Sequence, residues 1–367
     1  MPPAPPPLPP RPSVASPVSQ SMTNFVHGAY YPSWKIYRGK APSSMNVSVL
    51  THVFYAFVRL QDDGAVCHLD EKADTQLPVD GTHGCLNAVK NLKRQQPNLK
   101  VLVSVGGGSG SKPFALIASD TARTQRFAQS LKQLIDQYDF DGADVDWEHP
   151  KDSEEGRNYV RLLASLRQCL PAPQYVLSSA LPAGEWCLRN IPLNEAASLL
   201  DFINLMAYDF AGSWTELSGH QAQLYSPANP HNAFAKRSGH NAVEYLHNHG
   251  VPLAKVVLGI PVYGRSFTGV DGIGQRFTGH AGEQGILEYT DLPLSGTHET
   301  VDSTVSAAFC VGGDGFVTYD NPQTVGQKAD YVKQRGLAGL FYWTGISDAE
   351  GQRSLLKAGF DALHSQS

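Results

Sequence analysis

From Phe25 onward the hydrophobic positions repeat one theme: a short apolar run, a polar loop, then a stretch with helical spacing. Eight such runs, at 25–30, 51–58, 99–106, 139–148, 175–181, 201–208, 255–263 and 337–343, are mostly rich in Val, Ile, Phe and Tyr and nearly continuous in apolar residues. Parallel strands covered on both faces read this way, because their own crossover helices bury them. Helical patterns lie between the runs, at 120–138, 154–170, 241–249 and 322–335. Eight strands alternating with helices predict an α/β chain folded as a (β/α)8 TIM barrel. A doubly wound open sheet is the rival architecture, and the dinucleotide fingerprint it would carry is missing.

One segment departs from the theme. Residues 264–320 are long, Gly- and Thr-rich, and hold short β-like pieces around 276–278, 285–289 and 315–319. A structureless loop of that length is improbable in a compact domain. The segment is therefore expected to form a small α+β insertion, placed at 267–318 between the seventh and eighth units of a single barrel domain spanning 24–367. Before it, residues 1–23 are dominated by Pro and Ser and read as a disordered, solvated tail.

The fourth run carries the chemistry. Residues 141–148 read Asp-Gly-Ala-Asp-Val-Asp-Trp-Glu, so Asp144, Asp146 and Glu148 stand at a spacing of two. On a strand they share one face, with Val145 and Trp147 on the other. Carboxylates that close disturb one another's ionisation, and burying them without partners is expensive. Such a cluster points to catalysis. An exposed acidic edge fits poorly beside Tyr138, Phe140 and Trp147, and no His or Cys stands at metal-ligand spacing nearby, which leaves only an all-oxygen metal site open.

Bulk composition narrows the partners. With 41% hydrophobic residues and a net charge of −5, the 367-residue chain reads as a soluble globular protein with ample core. It has no basic run for nucleic acid and no apolar stretch approaching the ~18–20 residues that span a bilayer. Five scattered cysteines do not form a disulfide framework, although a Cys67–Cys85 bridge is conceivable. No apolar h-region follows the first Met, so a cytoplasmic location is the default expectation, with non-classical secretion as the alternative. A monomer is expected.

In a barrel of this kind the site lies at the C-terminal ends of the strands. The third run ends Ser104-Val105-Gly106-Gly107-Gly108-Ser109-Gly110, which lacks the Lys-Ser/Thr of a phosphate loop; its glycines more plausibly bring backbone close to the acidic strand or to a ligand. The sixth ends Met206-Ala207-Tyr208-Asp209 and the eighth Phe341-Tyr342-Trp343, delivering a phenol, another acid and an indole to one rim.

These pieces together resemble glycoside hydrolase family 18, the chitinases. Asp141, Asp144, Asp146 and Glu148 fit the family's D-x-x-D-x-D-x-E signature, Ser104 to Gly107 its S-x-G-G strand, and Met206 to Asp209 its M-x-Y-D strand. Tyr55-Ala56-Phe57 and Tyr263-Gly264-Arg265-Ser266-Phe267 match further strands, and 205–225 is similar to fungal members in particular. The resemblance covers 25–363. It implies hydrolysis of β-1,4-linked N-acetylglucosamine in chitin and chitooligosaccharides, with retention, by a substrate-assisted mechanism and without cofactor or metal. It further implies Glu148 as proton donor, Asp146 as the group holding the acetamide, Asp144 sharing a proton with Asp146, and Tyr208 and Asp209 beside the acetamide. Trp343 would floor the sugar, Tyr30, Phe57, Gly107, Met206 and Arg265 would line the pocket, and Asp141 would be structural. The neighbouring carboxylates are expected to raise the pKa of the acid.

Two departures stand out. Gly108 occupies a position where many members have Trp, and His149 one where Tyr is common. With five Trp and no accessory module in sight, weak adsorption to crystalline chitin is expected. Two other functions compete: an endo-β-N-acetylglucosaminidase acting on glycans, which shares the acid signature, and a chitin-binding lectin on a chitinase scaffold, usually marked by loss of the proton donor that is present here as Glu148.

Overall fold

Eight parallel strands close on themselves in the structure, a computed structural model that describes residues 25–313 and 315–365. We number them β1 (Val26–Pro32), β2 (His52–Leu60), β3 (Lys100–Gly106), β4 (Gly142–Asp146), β5 (Val176–Pro182), β6 (Phe202–Met206), β7 (Val256–Pro261) and β8 (Gly339–Trp343). Each pairs in parallel with the next, and β8 returns to β1 through the Val26–Gly339 register. The expected (β/α)8 barrel is present. The proline-rich segment 1–23 lies outside the described residues.

Side-chain alternation divides the core in two. Outward positions such as Val53, Tyr55, Val101, Val103, Ala143 and Val145 pack against helical Leu131, Ile135, Leu162 and Leu166. Inward positions Tyr30, Phe54, Leu102, Phe202, Val257 and Phe341 fill the lumen as a separate cluster. The polar residues Ser104, Asp144, Ser178 and Asn204 also point inward, and all four are fully buried. A barrel interior of this kind is a packed core, so the site has to sit above it.

Local signals start and stop the helices. Asp120 and Asp152 cap Thr121–Tyr138 and Ser153–Cys169 by accepting backbone N–H bonds. Asn321 and Thr324 form a reciprocal cap on Pro322–Arg335, which Gly336 ends in a left-handed conformation.

Between β7 and β8 the strands Tyr263–Thr268, Ile286–Glu288, Glu299–Asp302, Ala307–Gly312 and Gly315–Tyr319 make an antiparallel sheet around Phe267 and Phe316. Three expectations change here. Residues 276–278 form no strand, whereas 299–302 and 307–312 do. The seventh run stops at Pro261, so Tyr263 opens the insertion sheet and is not part of the barrel. The fourth strand ends at Asp146, which leaves Trp147 and Glu148 just beyond it. All five cysteines are free, and the Cys85 thiol lies 3.6 Å from the Tyr31 hydroxyl, so no Cys67–Cys85 bridge forms. Among the described residues no helix is long and apolar enough to cross a membrane.

Candidate active site

The three acids of β4 climb out of the barrel in order. Asp144 is deepest. Its Oδ2 accepts from the Tyr30 hydroxyl at 2.8 Å and from Ser104 Oγ at 2.7 Å, and its Oδ1 accepts from Ser178 Oγ at 2.7 Å. Asn204 Nδ2 donates to the Tyr30 oxygen at 3.0 Å and reaches Asp144 Oδ1 at 3.5 Å. Burial raises the Asp144 pKa, and these four donors pull it back.

Asp146 stands one step higher and differs in kind. It is buried, yet its Oδ1 finds no hydrogen-bond partner. Burial pushes its pKa well above the usual carboxylate range, with the charges of Glu148 and Asp144 adding to the effect. Glu148, at the top, is partly exposed, and its pKa is also raised, first by burial; His149 lowers it and Asp209 raises it. Desolvation, not mutual repulsion, is the leading cause for all three acids. That corrects the expectation that neighbouring carboxylates do most of the work: the strand spacing is visible in sequence, whereas depth is not. The Asp144 oxygens are engaged by these hydroxyl and amide donors.

The ends of β6 and β7 face this stack. Tyr208 is held with its phenol protonated by burial and by the charges of Asp146, Asp209 and Glu148. Asp209 adopts φ 59°, a left-handed conformation that Asp tolerates better than most residues. Its Oδ1 accepts from the Tyr263 hydroxyl at 2.8 Å and from Arg265 Nε at 2.9 Å. Arg265 in turn lies over the Trp214 ring, 4.8 Å from the centroid.

Aromatic rings form the floor. Trp343 stacks on Phe57 at 5.7 Å and meets Tyr30 edge-on at 5.4 Å, while Trp34 extends the surface outward beside both Phe57 and Trp343. Beside this floor, the glycines at the end of β3 allow a close backbone approach. A Cβ on Gly106 would come within 2.3 Å of the Asp146 carbonyl oxygen, and one on Gly107 within 2.5 Å of the Phe57 ring. Gly108 is different: a Cβ there would sit at 3.5 Å from Glu148 Oε1, an ordinary contact.

A cleft of about 610 Å³ is lined by Asp146, Glu148, Tyr208, Asp209, Trp343, Tyr30, Phe57 and Met206 from the expected set. Three expected residues do not line it. Asp144 lies beneath, Gly107 is shielded by Phe57, and Arg265 lines a second cavity of about 480 Å³ that shares Asp209, Tyr263 and Trp343 and runs on past Trp34. Asp141 lies at the opposite end of β4, where it accepts from the Val101 amide and pairs with Lys93, a structural position. Sequence reading missed Trp186, Trp214 and Arg237, which also line the cleft. All three lie outside the strand-end motifs, and Trp214 and Arg237 sit on a stretch without regular structure, so neither period nor motif flagged them. Among the described residues no group of three or more His, Cys, Asp or Glu side chains is placed to hold a metal ion.

Residues 27–348 match the family described as Glycosyl hydrolases family 18. Chitinase 1 of Aphanocladium album is 34% identical over 96% of this chain and 90% of its own. Endochitinase 1 of Metarhizium robertsii is 35% identical over 94% and 88%. Among solved structures, a GH18 chitinase from Cycas revoluta in complex with (GlcNAc)3 superposes with a TM-score of 0.81 at 29% identity, covering 91% of this chain and 98% of that one.

Proposed function

The chain belongs to glycosyl hydrolase family 18, and we infer from that premise that it is a chitinase, cleaving the β-1,4 bonds of N-acetylglucosamine polymers and oligomers. One observation carries the mechanism: a buried Asp146 with an unpartnered Oδ1, directly beneath a partly exposed Glu148. A carboxyl held protonated by burial is a poor nucleophile and a good hydrogen-bonding partner, so the two-carboxylate route of most retaining enzymes does not suit it. The substrate's own acetamide takes the nucleophile's place.

Glu148 gives its proton to the glycosidic oxygen, and the bond from that oxygen to the anomeric carbon breaks. The acetamide carbonyl oxygen on the same sugar closes onto the anomeric carbon, forming an oxazolinium ion. Asp146 Oδ1 takes the acetamide N–H, and the Tyr208 hydroxyl donates to the acetamide oxygen. Water then loses a proton to Glu148 and opens the ring from the face the leaving group occupied. The product keeps its configuration and Glu148 is restored. Asp144, with Tyr30, Ser104, Ser178 and Asn204 around it, keeps a hydrogen-bonded charge below Asp146 and helps hold the proton there. Trp343 supplies the apolar face under the sugar.

Glu148→Gln tests this reading. It keeps the shape and removes the proton, and general acid catalysis is worth roughly 10²–10⁴-fold. Hydrolysis of unactivated chitohexaose should fall by at least that while binding persists. Retention of more than about a tenth of parental activity would remove Glu148 from the role.

A further inference from the structure

Beside the proton donor stands a second ionisable group that the mechanism above does not use. His149 Nε2 lies 3.5 Å from Glu148 Oε2, with His149 half exposed and Glu148 23% exposed. The imidazole is not free to drift, because it packs on the Trp186 indole with centroids 4.9 Å apart. Trp186 belongs to the short helix Glu185–Leu188, whose Cys187 donates its thiol to the Glu148 carbonyl at 3.1 Å. Two contacts from one element thus fix both the donor and its neighbour.

We propose that His149 is a positioning residue that sets how far into the neutral range Glu148 keeps its catalytic proton. The inference rests on Glu148 being the proton donor. When the imidazole is charged it favours the ionised carboxylate, which cannot act as an acid; when neutral it leaves the carboxyl to hold its proton. Histidine is the side chain whose charge ordinarily changes between about pH 5 and 8. Several of the other groups facing this end of the cleft do not switch there. Tyr30, Tyr208 and Tyr263 are held as phenols by burial, and burial likewise pushes the Cys187 thiol up to about 12. Arg237 is a guanidinium; Asp209, bonded to Arg265 and Tyr263, and Asp146, whose pKa burial raises well above the carboxylate range, are common to the parent and every His149 variant and so do not set their profiles apart. At 3.5 Å the His149 imidazole is the basic side chain in contact with the Glu148 carboxyl. The influence of His149 on Glu148 runs in the same direction, lowering its pKa against the raising effect of burial.

The test is the pH profile of kcat/KM on chitohexaose for the full chain and for His149→Gln, His149→Tyr and His149→Lys. The alkaline limb should move to higher pH in the Gln and Tyr variants alike, since both remove the charge although their shapes differ. Above the parental limb, their activity relative to their own plateau should exceed the parent's by at least ~3-fold. The Lys variant, charged throughout the range, should move the limb the other way. Coincident limbs in all four proteins would overturn the proposal, as would a split between Gln and Tyr, which would make shape and not charge the cause. Glu148→Gln assayed alongside separates the two readings: an active Glu148→Gln protein sinks the proton-donor assignment, whereas an inactive one with unmoved His149 limbs sinks only this inference.

Discussion

Replacing Asp146 with Asn should stabilise the fold at mildly alkaline pH while it abolishes turnover. The Asp146 side chain is 4% exposed, its Oδ1 lacks a partner, and burial with the charges of Glu148 and Asp144 holds its pKa well above the usual range. A carboxyl of this kind binds its proton more tightly in the folded than in the unfolded state. Its contribution to stability is complete below the unfolded value of about 3.9 and is lost as pH rises through the folded one. Asn keeps the shape and polarity but cannot ionise, so the variant escapes that loss. Relieving an uncompensated buried charge is worth on the order of 1–3 kcal/mol. Unfolding entropy near 2.1 cal/mol/K per residue converts this to a Tm rise of about 1–4 °C for a chain of 367 residues. Thermal unfolding of variant and parent at about pH 4 and about pH 8, at matched ionic strength, gives the comparison. The variant's advantage should be near zero at the lower pH and full at the higher. An advantage that does not change with pH, or one that passes to the parent as pH rises, would show that Asp146 is not a proton-holding buried carboxyl. Hydrolysis by the variant should fall by about 10²-fold or more, because an amide cannot give up a proton and set a negative charge against the oxazolinium ion as it forms.

The remaining expectations concern substrate. Glucose polymers and fully deacetylated glucosamine polymers should not be cleaved, and thiazoline or allosamidin-like mimics of the oxazolinium ion should bind far better than substrate; cellohexaose hydrolysis at the rate of chitohexaose would refute acetamide participation. Gly108→Trp should tighten binding of longer oligomers, measured as KM for hexamer against trimer, because a Cβ there meets only ordinary contacts beside Glu148. Gly106→Ala should destabilise the protein by more than ~1 kcal/mol in thermal melts, since the new Cβ would meet the Asp146 carbonyl oxygen at 2.3 Å in a backbone of φ 114°. Adsorption to crystalline chitin should remain weak in a depletion isotherm, because Trp34, Trp186 and Trp214, although exposed, face the cleft and its continuation instead of a flat outer surface.

What the sequence made legible follows from periodicity and spacing. The eight apolar runs and the Asp144, Asp146 and Glu148 register are visible because a buried strand writes its two faces into every second residue. The helical patterns at 120–138 and 322–335 agree with the helices Thr121–Tyr138 and Pro322–Arg335, which Asp120 and Asn321 cap. The strands at 299–302 and 307–312 were not legible, since they carry mixed, partly exposed residues with no clean alternation. Depth was equally hidden. Nothing in the spacing says that Ser104, Ser178 and Asn204 converge on Asp144 from three other strands while Asp146 Oδ1 is left without a partner. Trp186 and Trp214 stayed out of view because aromatics outside the strand-end motifs look the same whether they pack or bind.

The join between barrel and insertion sheet has a mechanical consequence. A wall that swings needs a few residues to absorb the change in φ and ψ. Here only Val262 separates Pro261 from Tyr263; it is fully buried, and its N–H donates to the Trp343 carbonyl at 2.7 Å. The return connection is pinned as firmly, with Asp320 paired to a buried Lys328 and Asn321 bonded to Glu299. Neither connection leaves loose residues to act as a hinge, so this wall is held in place from both ends. A bound polymer meets contacts that are already in place and loses little to ordering the wall. The cost falls on short chains: a disaccharide cannot draw the walls in around itself, and must hold on with the few sugars it has.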